Sequence, residues 1–357
     1  MKRALLRAAA AGAAAVLAVS VAALPASAAD TWRKVDLPFL WPNASIADIA
    51  AAAPGDVWIA GVQGSFCIQP VPMWPCVISS SGNPVVRQWD GSRWREYPID
   101  GWTGTGSMRQ VAAGGGETWV AGGIGGTYVG RLNGRAFEPA SVPGGIEALT
   151  ELAGGPAGVW AVTLGDDGTS SLPRRAGGAW TRTPVPADLD HISDVQARTP
   201  TDAWAVGETE PAEDAPGLEE SPAIAHWDGS TWTSVPAHTE SARDAGLLAV
   251  APAGVGEVWA ISRKALLYWD GASWTTIPGP SGVYQMRDLA ADDAGNPWAI
   301  VETTSFGYTL FRYIDGAWQQ HDLSPTGRVD EIASVPGTGA LWATGGDART
   351  PFAWTNP

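Results

Sequence analysis

Asp48, Gln110, Asp194, Asp288 and Glu331 stand at matching places in five short apolar runs of a 357-residue chain. Two carboxylates brought together from such positions would supply an acid and a nucleophile for cleaving a glycosidic bond. The plainer use of acids so placed is to hydrogen-bond neighbouring strands or enclosed water. His191, His226, His238 and His321 are scattered, with no His-Glu-x-x-His or other metal-ligand spacing. No metal site and no cofactor are therefore expected, and no catalytic residue is assigned.

A second kind of chemistry is recognition by aromatic rings. The chain has 20 tryptophans against six tyrosines and six phenylalanines. All but Trp41, Trp74 and Trp102 fall inside repeating motifs. The C–H faces of a pyranose stack on an indole while polar neighbours take the hydroxyls. Trp41, Trp74 and Trp102, with Asn43 and Asp100 beside them, are thus the candidate ligand-binding residues. Gln63, Gln69 and Asn83 are further polar neighbours. Two other uses are open: pinning a long insertion to the body of the protein, or anchoring a partner protein.

The elements that must position these residues are legible as a repeat. An acid or small residue, an apolar residue, Trp and two more apolar residues recur at Asp56–Ala60, Glu117–Ala121, Gly158–Val162, Asp202–Val206, Glu257–Ile261, Asn296–Ile300 and Ala340–Thr344. Successive tryptophans lie 61, 41, 44, 55, 39 and 44 residues apart. A second motif places Asp-Gly or a relative between two apolar runs, as in Trp89-Asp90-Gly91-Ser92-Arg93-Trp94, Trp227–Trp232 and Trp269–Trp274. That pairing is a strong hairpin signal because both turn positions tolerate positive φ. Each repeat opens with a further short strand, such as Ile46–Ala50, so one repeat is four strands. A period near 40–45 built this way predicts an all-β, seven-bladed β-propeller. Asp30–Pro38 reads as an orphan outer strand and the seventh repeat lacks one, so the N-terminal strand is expected to complete the C-terminal blade. One domain, residues 29–357, follows. The two long spacings place insertions at 62–85 in blade 1 and at the acidic stretch 208–221 in blade 4, both after the Trp strand. The second reads as a solvated loop.

These repeats resemble the tryptophan-rich propellers of the tectonin and Asp-box (BNR-like) type, and the chain itself reads as a secreted, actinobacterial-looking member of that kind. The sialidase Asp box itself has one residue between Asp and Gly, whereas here the two are adjacent. The arginine constellation of sialidases is absent, with only Arg109 and Arg287 flanking the opening strands. The resemblance implies the fold and, more loosely, a glycan-binding lectin, with a glycosidase or lyase as a further alternative.

Charge and cysteines narrow the setting. The net charge of −15 disfavours nucleic acid as a partner. Lys2, Arg3 and Arg7, the apolar stretch 8–23 and Ala26-Ser27-Ala28 read as a signal peptide over residues 1–28, giving a secreted, extracellular product. No later segment has the length of a membrane span, so no membrane insertion is expected. Export permits a disulfide between the two cysteines, Cys67 and Cys76. The expectation is a non-catalytic module recognising a cell-surface or wall glycan. The alternative is a protein-interaction or targeting subunit of a larger secreted assembly, such as a toxin particle.

Overall fold

The computed structural model describes residues 32–69, 75–123, 128–145, 148–209, 221–236, 246–304, 307–323, 327–347 and 350–356. The expected signal peptide, Trp74 and nearly all of the acidic insertion lie outside the described residues. The architecture is a seven-bladed β-propeller, as the repeat predicts, and no helix appears among the described residues.

β1 (Arg33–Val35) comes first in the chain and last in the ring. Blade 1 follows as β2 (Ser45–Ala53), β3 (Asp56–Gln63), β6 (Asn83–Trp89) and β7 (Trp94–Glu96); β4 (Phe66–Ile68) and β5 (Ile78–Ser80) form a separate hairpin between β3 and β6. Blade 2 is β8 to β11 (Met108–Gly114, Glu117–Gly122, Tyr128–Leu132, Phe137–Pro139). Blade 3 is β12 (Leu149–Gly155), β13 (Gly158–Leu164), β15 (Arg174–Ala176) and β16 (Ala179–Thr181), with the two-residue β14 (Ser170–Ser171) added to β13. Blade 4 is β17 to β20 (His191–Thr199, Asp202–Thr209, Ser221–Trp227, Trp232–Ser234). Blade 5 is β21 to β24 (Ala249–Gly254, Glu257–Ile261, Ala265–Trp269, Trp274–Pro278). Blade 6 is β25 to β28 (Val283–Ala291, Pro297–Thr303, Tyr308–Ile314, Ala317–His321). Blade 7 is β29 (Arg328–Ser334), β30 (Leu341–Gly346) and β31 (Pro351–Asn356), and β1 supplies its fourth strand by pairing Arg33 with Thr355 and Val35 with Ala353.

The second strand of each blade is apolar without alternation because both its faces are covered by neighbouring blades. The buried side chains accordingly group into seven clusters, each drawn from two adjacent blades. The acid two residues before the strand tryptophan also has a reason. Trp58 Nε1 donates to Asp56 at 2.6 Å, Trp119 to Glu117 at 2.9 Å and Trp204 to Asp202 at 3.2 Å. Where Gly158 replaces the acid, Trp160 Nε1 is buried with no hydrogen-bond acceptor among the described residues.

The Asp-Gly turns behave alike. Asp90 Oδ1 accepts the backbone N–H of Ser92 and Arg93, both at 2.9 Å, while Gly91 takes φ +93°. The Ser92 hydroxyl and these backbone donors hold the Asp90 carboxyl down at about 2. Across such turns the tryptophans face each other as ladder partners, Trp89 with Trp94 and Trp227 with Trp232. The outer-strand tryptophans reach back to the preceding blade. Trp274 Nε1 donates to Pro236 O at 2.8 Å, Trp318 to Pro278 O at 2.9 Å and Trp180 to Ser141 O at 3.2 Å. Proline suits that edge strand, where no donor is missed and its carbonyl is free to accept.

Candidate functional site

The innermost strands enclose a channel with a cavity of about 420 Å³. Equivalent ladder positions bring Asp48, Gln110, Glu151, Asp194, Asp288 and Glu331 to its wall, with Ala249 in the seventh place. In the six blades that carry a polar residue there, the strand register shifts just before it. A β-bulge of this kind re-aims the following side chain. Blade 5, which carries Ala249, has no register shift at that place. Glu151 is the member that comparison of the apolar runs passes over. Its signal is the triplet Glu151-Leu152-Ala153, which copies Asp48-Ile49-Ala50.

Three of these acids latch one blade to the next. Asp48 Oδ2 accepts the Val111 N–H at 2.6 Å, Asp194 Oδ2 the Val250 N–H at 2.8 Å and Asp288 Oδ2 the Ile332 N–H at 2.8 Å. Asp48 and Asp288 use their other oxygen on the N–H of the next residue, Ile49 and Leu289. Gln110 Nε2 donates across the next blade boundary to Thr150 O at 2.7 Å. Burial pushes the Asp48 and Asp194 carboxyls up to about 7 and that of Asp288 to about 6, against the downward pull of these donors. Glu151 and Glu331 rise well above the usual range, chiefly through burial and then through the neighbouring aspartates. Glu151 and Glu331 accept no backbone N–H among the described residues, so nothing offsets the upward push of burial on them. Chemically the ring is a wall of buried carboxyls, partly stitched between blades, whose neutral forms are favoured by burial.

A different surface forms at blade 1. The connection from β1 to β2 carries Phe39 and Trp41, 73% and 61% exposed, with rings 5.6 Å apart at 73°. Buried Arg87 holds this arch in place. Its Nη1 donates to Pro38 O at 3.0 Å and its Nη2 to Phe39 O at 2.9 Å, while Nε and Nη2 meet Glu96 Oε2. The arch is tied in turn to the insertion. Trp41 N donates to Gln63 Oε1, Gly64 N to Pro42 O, Asn43 Nδ2 to Ser65 O at 2.8 Å and Ser65 Oγ to Asn43 O at 2.9 Å. Beyond Ser65, the β4–β5 hairpin pairs Phe66 with Ser80, Cys67 with Ser79 and Ile68 with Ile78. The Cys67–Cys76 disulfide closes it, with Cα atoms 5.4 Å apart. Phe66, Ile68, Val77 and Ile78 are all exposed. Residues 37–47 and 57–86 contain no charged side chain and no histidine.

Of the residues singled out from the sequence, Trp41 and Asn43 share this surface and Trp74 falls outside the described residues. Trp102 is half-buried. Its ring packs on Tyr128 at 5.5 Å and its Nε1 donates to Gly104 O, so it belongs to the core between blades 1 and 2. Asp100 is exposed at the end of blade 1, where its N–H donates to Phe137 O and its carbonyl accepts from Tyr128 Oη. Phe39 stacks edge-on to Trp41, and Phe66, Ile68 and Ile78 are further exposed apolar side chains on the adjoining hairpin. Their signal in the sequence is the unbroken absence of charge.

No protein family matches the chain and no curated protein matches it. Solved structures do. YCF48 bound to D1 peptide is 15% identical with a TM-score of 0.58, covering 93% of this chain and 99% of that one. A catalytically inactive virginiamycin B lyase from Staphylococcus aureus, with quinupristin, is 13% identical with a TM-score of 0.59, covering 92% and 99%. The β-propeller domain of the Trilobed protease from Pyrococcus furiosus, described as having an open velcro topology, is 9% identical with a TM-score of 0.55, covering 87% and 95%. At these identities the likeness establishes the propeller fold.

Proposed function

We propose that this chain is a non-catalytic, exported protein-binding module that receives its partner on the blade 1 face formed by Phe39, Trp41 and the β4–β5 hairpin. The observation that carries this reading is a set of exposed large apolar side chains on two segments free of charge, in a chain with 59 charged residues. Aromatic enrichment with depletion of charge is the composition of an interface centre. A rigid frame behind it, set by Arg87 and the disulfide, lowers the ordering cost of binding. The peptide complex of the similar YCF48 propeller supports the choice of partner class by analogy. Residues 1–28 and the disulfide both fit an oxidising, extracytoplasmic setting.

The glycan reading fits this face less well. Pyranose hydroxyls need free polar groups beside the stacking ring. The Asn43 amide N–H and the Gln63 carbonyl oxygen are spent on holding the arch to the insertion. A catalytic reading has weaker support still, since the three channel aspartates are committed to backbone donors.

The test is a photo-crosslinking residue at position 39, with the same residue at exposed Tyr284 as control, followed by titration of the purified crosslinked protein. Trp41→Ala and Ile68→Lys are expected to weaken binding at least tenfold with unchanged circular dichroism. Selective glycan binding that disappears in Trp41→Ala, with no position-39 crosslink to protein, would return the face to a lectin.

A further inference from the structure

We infer that the partner contributes an extended, uncharged apolar segment that adds as a third strand along the open edge of β4; this rests on the reading of the blade 1 face as a protein-docking surface. The hairpin is a two-stranded sheet separate from the seven blades. β4 pairs with β5 alone, and beyond that ladder its one described backbone bond runs from Val77 N to Ile68 O, still within the hairpin. The outward N–H and C=O groups of Phe66–Ile68 therefore have no partner among the described residues.

Native proteins blunt such an edge with lysine, proline, a bulge or a covering loop. β4 is short, three residues of sequence Phe-Cys-Ile, but carries no lysine or proline and no register shift. The pleat places Phe66, Ile68 and Ile78 on one face and Cys67 and Ser79 on the other, so the edge borders a small apolar face. The segment tied to Trp41 and Asn43 ends at Ser65, immediately before β4. A strand laid along this edge gains main-chain hydrogen bonds from β4 and sets alternate side chains beside Phe66 and Ile68. This is β-strand addition, in which the ladder gives affinity and alternate side chains give specificity.

Charge selects the class of segment. The face has no cation to meet an acidic peptide, and the chain's −15 opposes one at a distance. A lysine or arginine would be desolvated there with no counter-charge. Uncharged sequence alternating apolar with small polar residues, three or more residues long to match β4, remains.

The experiment pans a phage-displayed random 12-residue library on the whole purified protein and synthesises the enriched peptide. Strand addition predicts uncharged, alternating sequences. N-methylation of every second backbone nitrogen should weaken binding at least tenfold, with little effect at the positions between. Amide exchange should slow within Phe66–Ile68, and Ile68→Lys should abolish binding while Ile68→Thr retains it. A peptide that binds in a Trp41-dependent way without this alternation overturns strand addition and leaves the docking-surface reading standing. Protection confined to Ile78–Ser80, or enrichment of charged sequences, also overturns it. Self-association through β4, seen as a sedimenting dimer that Ile68→Lys makes monomeric, would identify a second copy as the occupant and overturn the proposal. Absence of any enriched peptide together with absence of a position-39 crosslink would remove both readings.

Discussion

At the scale of single residues, the same carboxylate chemistry does different work according to what each oxygen touches. Asp48 divides its two oxygens between the N–H groups of Ile49 and Val111, so a side-chain amide can satisfy one of them and must turn its own N–H₂ on the other. Asp48→Asn is expected to lose about 1–3 kcal/mol of stability at acid pH, with the deficit in denaturant titrations shrinking as pH rises through the folded value of about 7. Glu331 makes no such bonds among the described residues, and its carboxyl is raised mainly by burial. A group protonated more readily in the folded than in the unfolded chain contributes its full stability below the unfolded value, and loses it as pH rises through the folded one. With Asp288 raised to about 6 and Asp48 and Asp194 to about 7, melting temperature should fall as pH rises from about 4 to about 7. Glu331→Gln removes one contributor to that fall. Thermal melts should show the variant more stable than the parent at pH 8, with the gap closing toward pH 4; a constant gap would contradict a raised Glu331 carboxyl in the folded chain. The five opening-strand residues named from sequence do line one channel, because each follows the same apolar pattern. Glu151 has the same register shift before it as the others, so its place is set by the fold in the same way, and its signal in the sequence is the triplet it shares with Asp48.

At the scale of elements, hairpins with their own closing chemistry were legible and long insertions were not. Asp-Gly between facing tryptophans forces a turn wherever it occurs, so the outer halves of blades 1, 4 and 5 follow from local sequence alone. Nothing local says that Trp102 turns inward onto Tyr128 while Trp41 stays out, since that choice depends on which neighbouring blade offers a pocket. Likewise β14 adds to β13 only because the chain in blade 3 passes close enough to pair Thr163 with Ser171. The β4–β5 hairpin behaves as an appendage. Its strands share no ladder with the blades, and none of its exposed apolar residues joins the seven core clusters. Closing a loop this short is worth roughly 2–3 kcal/mol, but that energy resists opening of the hairpin and not of the propeller. Replacing both Cys67 and Cys76 by Ser should leave the melting temperature within about 2 °C, on the sub-kcal/mol scale at which surface changes act. Amide exchange within Phe66–Ile68 should rise at least tenfold in the same variant. A large drop in melting temperature instead would mean that the hairpin is part of the cooperative unit.

For the whole molecule, stability is a property of the closed ring, because no blade owns its core. Each cluster needs side chains from two neighbours, and two sets of hydrogen bonds, aspartates at three boundaries of the channel and indoles at the rim, join blade to blade. The ring closes where β1 meets β31. There three residues of β1 close blade 7, Val35 is buried among residues of blades 1 and 7, and Trp32 sets its ring edge-on to Trp298 at 5.6 Å. Closure was predictable from an orphan strand at one end and an incomplete repeat at the other, since an open propeller would leave a sheet edge bare. Here that edge would be β31, all six of whose residues are buried. A chain beginning at Asp36 loses Trp32 and Val35 together with the three-residue ladder. Trp32 is half-buried against the cluster between blades 6 and 7, and Val35 is buried. Since truncating a fully buried aromatic alone costs about 3–5 kcal/mol, losing both with the ladder removes a large part of the stability of most domains. The shortened protein should melt well below the parent or aggregate through β31. A synthetic peptide spanning residues 30–39 should restore the parent's melting temperature when added in excess, because it refills the same groove and binds only the folded ring. An unchanged melting temperature in the shortened chain would show that the seven blades hold together by their wedge-shaped cores without the terminal strand.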